Sequence, residues 1–275
     1  MAMTMMKLLD WIDINDLDFN YLSENPNAIP LLEANFNKIN WAALSSNPNA
    51  IPLLEKNFNK INWFELSANP NAIPLLEANL NKIDWNALSF NKNAISLLKK
   101  NKSKIDYTIL SENVNAIPLL KENFNKIDWK YFSSNPNAIH LLLKNFEKID
   151  WDNLSLNPNA ISLLLKNKDK INWKYLSLNP NGIEILRENQ DKIYWKLLST
   201  NPNAISILEK NFKKIDWIGI SKNPAIFRYD YEMMKKTKAY INEEIITIVL
   251  HPKRMLRLMK EYGEDEIYNI YFDEN

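Results

Sequence analysis

Residues 41–62 read WAALSSNPNAIPLLEKNFNKIN, and this 22-residue pattern recurs over about three-quarters of the chain. Its leading aromatic falls at Phe19, Trp41, Trp63, Trp85, Tyr107, Trp129, Trp151, Trp173, Trp195 and Trp217. A unit this short cannot enclose a core alone, but stacked copies can, each burying its apolar side against the next. The period therefore predicts nine successive units and a degenerate tenth, stacked as an all-α solenoid of 22-residue two-helix repeats with distinct terminal caps. Residues 1–18 read as the N-terminal cap, 19–224 as the solenoid, and 225–275 as a C-terminal helical cap with an acidic tail.

Within one unit, Asn40 is placed to cap a short first helix on which Trp41 and Leu44, three apart, share a face. Two starts compete for the second helix. With Asn47 as cap, Pro52 would fall where its missing amide removes a helical bond; with Asn49 as cap it falls in the first turn, where it does not. Asn49 is preferred. Ala50, Ile51, Leu53 and Leu54 then form the apolar side, and Ile61 closes the core. The aromatic column (Trp41, Trp63, Trp85, Trp129, Trp151, Trp173, Trp195 and Trp217) is expected to be continuous core. Asn57 and its equivalents, Asn145 among them, are expected to take left-handed backbone after the second helix. Asn47 and its equivalents read as turn residues, because a catalytic residue is needed once and not in every unit.

Lys38, Lys60 and their seven equivalents form a ladder that could be structural, meet an acidic partner, or follow a phosphate backbone. The structural reading is favoured, since acidic residues are frequent nearby. Positions that differ between units are better candidates for recognition. Tyr131 and Tyr175 vary in the first helix, and His140 and Glu184 replace the proline of the second. Tyrosine supplies apolar contact with an orienting hydroxyl, and charged neighbours discriminate partners.

The charge is balanced, 34 Lys plus Arg against 33 Asp plus Glu, which argues against a broadly basic nucleic-acid carrier. There is no Cys, which excludes disulfides, thiolate metal sites and cysteine nucleophiles. The two histidines, His140 and His251, lie far apart in sequence, and three glycines leave no phosphate-cradling loop. No catalytic residue, cofactor or metal site is predicted. No apolar run is long enough to span a bilayer and no secretory leader is legible, so the chain reads as intracellular.

Beyond Trp217 the pattern changes to longer helices, near 229–239, 242–250 and from Pro252, with Gly263 as a stop. The NPNAIPLLEKNxxKIxW unit and the terminal block with His251-Pro252-Lys253-Arg254 resemble short helical-repeat proteins of giant double-stranded DNA viruses, mimivirus-like viruses included. The resemblance covers about residues 8–264; Lys92 and Val114 at the turn proline, and Gly182 for alanine, depart from it without breaking the pattern. It implies a repeat architecture, a viral origin and no established enzymatic residues.

The function to expect is a non-enzymatic protein–protein interaction scaffold in virus–host contact, in the host cytoplasm or on the virion. A structural virion component is the alternative, and nucleic-acid association through the lysine ladder comes third. Lys253, Arg254 and Arg257 join Tyr131, His140, Tyr175 and Glu184 as the candidate partner surface.

Overall fold

A computed structural model describes residues 6–237 and 250–263. It is an all-α protein of repeating paired short helices in a solenoid-like arrangement, with two three-residue strands, β1 (Met6–Leu8) and β2 (Phe227–Tyr229), paired in one sheet. The chain divides into two compact bodies, Leu8–Arg228, and Met1–Lys7 with Tyr229–Asn275.

The unit beginning at Trp41 shows why each element forms. Asn40, in extended conformation, accepts the Ala43 amide on its side chain and starts the first helix, Trp41–Ser46. The second helix, Ile51–Lys56, starts one residue later than the sequence suggests. Its cap is Ala50 without a side-chain bond, and Pro52 sits in the first turn. The capping is done upstream, where Asn47 Oδ1 accepts the Asn49 amide at 3.0 Å and folds the turn that delivers the helix. A further 3₁₀ turn, Phe58–Lys60, leads to the next unit. Leu44, Ala50, Leu53, Leu54 and Ile61 form the buried apolar core.

A column of buried serines and asparagines joins the units. Ser45 Oγ donates to the Trp41 carbonyl at 2.8 Å and accepts the Asn62 amide at 3.0 Å, tying one helix to the start of the next. Asn47 Nδ2 donates to the carbonyls of Ser23 and Asn25 at 3.0 and 2.8 Å, 24 and 22 residues back. Asn49 Nδ2 reaches the Pro26 carbonyl at 2.8 Å. The turn asparagines thus fold their own loop and bind the preceding one. Among the described residues no buried side-chain nitrogen or oxygen lacks a partner, so this polar spine meets the condition under which burial of amides is tolerated. Lys92 and Val114, in place of proline, offer the same carbonyl to Asn115 and Asn137 at 2.8 Å each.

The spine has no free end. Asn25 Nδ2 donates to the carbonyls of Ser221 and Asn223 at 3.1 and 2.9 Å, the bonds every other unit makes to its predecessor. Asp18 N–H meets Ser221 Oγ at 2.9 Å and Asn27 Nδ2 meets the Pro224 carbonyl at 2.9 Å. The unit starting at Trp217 therefore precedes the one starting at Phe19, and ten units close a ring with a turn of about 36° each. Additional bonds fasten this seam. Leu9 N–H donates to the Ile226 carbonyl at 2.9 Å, Arg228 pairs with Asp10 at 2.6 Å, and Lys222 pairs with Glu24 at 2.8 Å. Among the described residues the remaining ion pair, Glu184–Arg187, lies within one helix.

This corrects the expectation of a solenoid whose two ends are covered by distinct caps. The segment 9–18 reads as a cap because it alternates apolar and acidic groups, but Ile12 and Leu17 are buried while Asp10 and Asp18 bond the last unit. A closed ring exposes no apolar end, so 225–228 completes the seam.

Two columns also differ from expectation. The tryptophans are half-buried, not closed core, and the large fully buried side chains are mostly leucines, with Phe132, Ile220 and Ile226. Phe58, 41 % exposed, meets Trp63 edge-on at 5.5 Å between centroids, and Lys82 Nζ lies 4.6 Å over each of these rings. Asn145 has φ −132° and ψ 52°, and no described non-glycine residue has positive φ. Its job is a different bond: Nδ2 donates to the Leu141 carbonyl at 2.9 Å, satisfying a helix-end acceptor from within the last turn. In the second body, residues 231–237 are helical, Pro252–Tyr262 forms an 11-residue helix, and Gly263 ends it with φ +99°. The helix expected at 242–250 falls largely outside the described residues.

Candidate functional site

The first helix gives way to the turn across two invariant positions. Ser45 and its nine equivalents stand within one residue of its end, and Asn47 and its nine equivalents two residues further on; all twenty are buried spine. The residue between them changes continually: Glu24, Ser46, Ala68, Phe90, Glu112, Ser134, Leu156, Leu178, Thr200 and Lys222. Backbone demands are constant on either side, so this column is free to vary without touching the ladder.

Its side chains line a groove of about 350 Å³ together with the turn residues that follow them. Four successive units contribute, from Ala68 and Pro70 through Phe90, Lys92, Glu112 and Val114 to Ser134 and Pro136. In a closed ring the helices that pack most directly on their neighbours lie on the inner, concave side. Successive first helices pack directly on one another, as Trp41–Ser46 does on Trp63–Ala68. The ring therefore turns this column toward its own axis.

Phe90, 50 % exposed, gives the groove an aromatic wall, and Val114 with the prolines extends the apolar surface. Glu112 lies among them. Burial pushes its carboxyl above the ordinary glutamate range, and contact with Ser134 offsets part of that rise. Burial dominates, because the one Ser134 hydroxyl hydrogen is directed at the Tyr131 carbonyl at 2.7 Å. No described lysine or arginine pairs with Glu112.

Within the repeat body, Tyr131, His140, Tyr175 and Glu184 do not form one face. Tyr131, 38 % exposed, and Tyr175, half-buried, lie on first helices two units apart. His140 and Glu184 are exposed on second helices, again two units apart. Arg254 is half-buried and Arg257 exposed on the terminal helix, in the other body; the Lys253 side chain lies outside the described residues. Sequence reasoning passed over the column of Phe90 and Glu112. The signal was present as a variable position between two constant ones.

The lysine ladder rests on the aromatic column. Lys60 Nζ lies 4.4 Å from the Trp41 ring centroid, Lys104 4.5 Å from Trp85 and Lys192 4.4 Å from Trp173. These are cation–π contacts within a unit. Among the described residues no cluster of His, Asp and Glu could hold a metal, and no helix is long and apolar enough to cross a membrane.

No protein-family model, curated protein or solved structure matches this chain.

Proposed function

We propose that this chain is a non-enzymatic protein–protein interaction scaffold, built from a 22-residue two-helix module repeated around a ring, with its partner seated on the concave groove. The observation that carries this reading is the column of Phe90, Glu112 and Ser134. Invariant Ser and Asn on both sides hold the backbone while the side chains between them differ, as a recognition surface on a constant frame requires. An aromatic wall and apolar neighbours with a few charged groups, here Glu112 and Lys92, are the usual ingredients of a protein-binding centre.

The closed ring weighs against a length-giving virion component, since it has no ends to extend. The lysines weigh against nucleic acid, since their Nζ atoms are engaged on ring faces. A viral origin and a host-cytoplasmic setting rest on the repeat resemblance alone.

The test is affinity purification from infected host cells with wild-type protein, a Phe90→Ser/Val114→Ser variant, and a Tyr131, His140, Tyr175 and Glu184 quadruple alanine variant. The reading requires a partner that the quadruple variant keeps and the groove variant loses while still folded. Equal capture by the wild type and the folded groove variant would refute it.

A further inference from the structure

The variable column contains two carboxylates, and they stand in opposite situations. Glu24 receives a cation from the neighbouring unit at the same position. Lys222 Nζ is 2.8 Å from its carboxylate and 4.7 Å from the centroid of the Tyr21 ring. The molecule thus shows how a carboxylate in this column is satisfied: by a cation lying on the concave face, beside an aromatic ring. For Glu112 the neighbour at the equivalent position is Phe90, which brings no charge. The following unit brings Ser134, whose hydrogen is committed to the Tyr131 carbonyl. Lys92 lines the same groove from the preceding turn and forms no ion pair with Glu112.

Glu112 is therefore an unneutralised, partly buried carboxylate in a groove that is otherwise largely apolar. Such a group gains most from an opposite charge delivered by something that also excludes water. The volume, about 350 Å³, is at the small end of binding clefts and holds about two or three side chains, not a folded domain. Phe90, Val114 and the prolines Pro70 and Pro136 offer flat apolar surface of the kind that extended, proline-containing segments occupy.

We propose that the groove binds an extended peptide segment of a partner protein, placing one arginine or lysine side chain against Glu112 and flanking apolar residues against Phe90 and Val114. This rests on the scaffold reading above and specifies the partner's chemistry. The seam pair, Glu24 with Lys222, is the internal version of the same contact.

Fluorescein-labelled pentapeptides Leu-Pro-X-Pro-Leu, with X as arginine, norleucine or glutamate, test it by fluorescence anisotropy on the full chain. The arginine peptide should bind the wild type about tenfold or more tightly than the norleucine peptide, and the glutamate peptide most weakly. Glu112→Gln, which keeps the shape and removes the charge, should abolish the arginine preference. Phe90→Ala should weaken the arginine and norleucine peptides alike. An arginine preference that persists in Glu112→Gln overturns the assignment, as does the absence of any preference in the wild type. If the peptides bind without charge preference yet depend on Phe90, the cation assignment falls and the scaffold reading stands. If none binds, the peptide assignment falls, and partner capture by the groove variants decides the scaffold reading separately.

Discussion

Replacing Asn25 and Asn135 by alanine, one at a time, distinguishes a ring from an open stack. Asn135 Nδ2 donates to the Ser111 and Asn113 carbonyls at 3.1 and 2.9 Å, and its Oδ1 accepts the Asn137 amide at 3.0 Å. Truncation leaves the Asn113 carbonyl its bond from the Ala116 amide, but takes the donor from the Ser111 carbonyl in a buried setting. A buried acceptor left without its donor costs about 1–3 kcal/mol. Losing the side-chain cap adds about 1 kcal/mol. The expected loss is about 2–4 kcal/mol. Asn25 makes the equivalent bonds to Ser221 and Asn223, and the Asn223 carbonyl likewise keeps a bond from Ile226. In the ring it should therefore cost the same. In an open stack Asn25 has no preceding unit, and only the cap is lost, about 1 kcal/mol. Urea unfolding followed by circular dichroism measures both through the shift in midpoint at unchanged slope. Asn25→Ala costing less than half of Asn135→Ala would refute closure through these bonds.

Three other outcomes follow from the packing. Phe132→Ala, at a fully buried site, should cost about 3–5 kcal/mol, and Trp129→Ala clearly less because that ring is half-buried; thermal unfolding giving the reverse order would discard this view of the core. Asn145→Gly should be no milder than Asn145→Ala, because φ is −132° and the lost bond to Leu141 is common to both, with glycine adding about 0.5–1 kcal/mol of chain entropy. Glu112→Gln should raise the melting temperature at pH 7 and lose that advantage on acidification toward the ordinary glutamate pKa of 4.5. A carboxyl whose folded pKa is raised destabilises the fold above that pKa and ceases to do so once protonated in both states. A gain that persisted unchanged at pH 4 would remove burial of the charge as the cause.

The period and the paired helices were legible because one aromatic, one apolar set and one turn recur at fixed spacing. The Asn40 cap was legible because its bond spans three residues. Asn47 was read only in part. Its bond to Asn49 is local and follows from sequence, whereas its bonds to Ser23 and Asn25 reach 24 and 22 residues back and depend on how units stack. Tryptophan suggested core by its size, yet a large ring can cover a surface while meeting Phe58 edge-on and lying under a lysine, as Trp63 does. Closure was hidden for a different reason. Small differences in packing on the two sides of each helix pair set the curvature, and whether they add to a full turn cannot be read from one unit. The seam left a trace in Asp10, Glu24, Lys222 and Arg228, four charges whose partners are about 200 residues away in sequence.

Closure also restricts how this gene can change in length. An open solenoid gains or loses a module and simply becomes longer or shorter, since each module needs only its neighbours. Here nine modules would each have to turn about 40°, and eleven about 33°, in place of about 36°. The amide-to-carbonyl bonds between neighbours, 2.7 to 3.1 Å throughout, would have to absorb that change at every joint or part at one. In-frame duplication, the usual route by which tandem arrays grow, therefore meets a geometric penalty shared by the whole circle. Point substitution in the variable column meets none, and is the direction in which such a molecule is free to diversify.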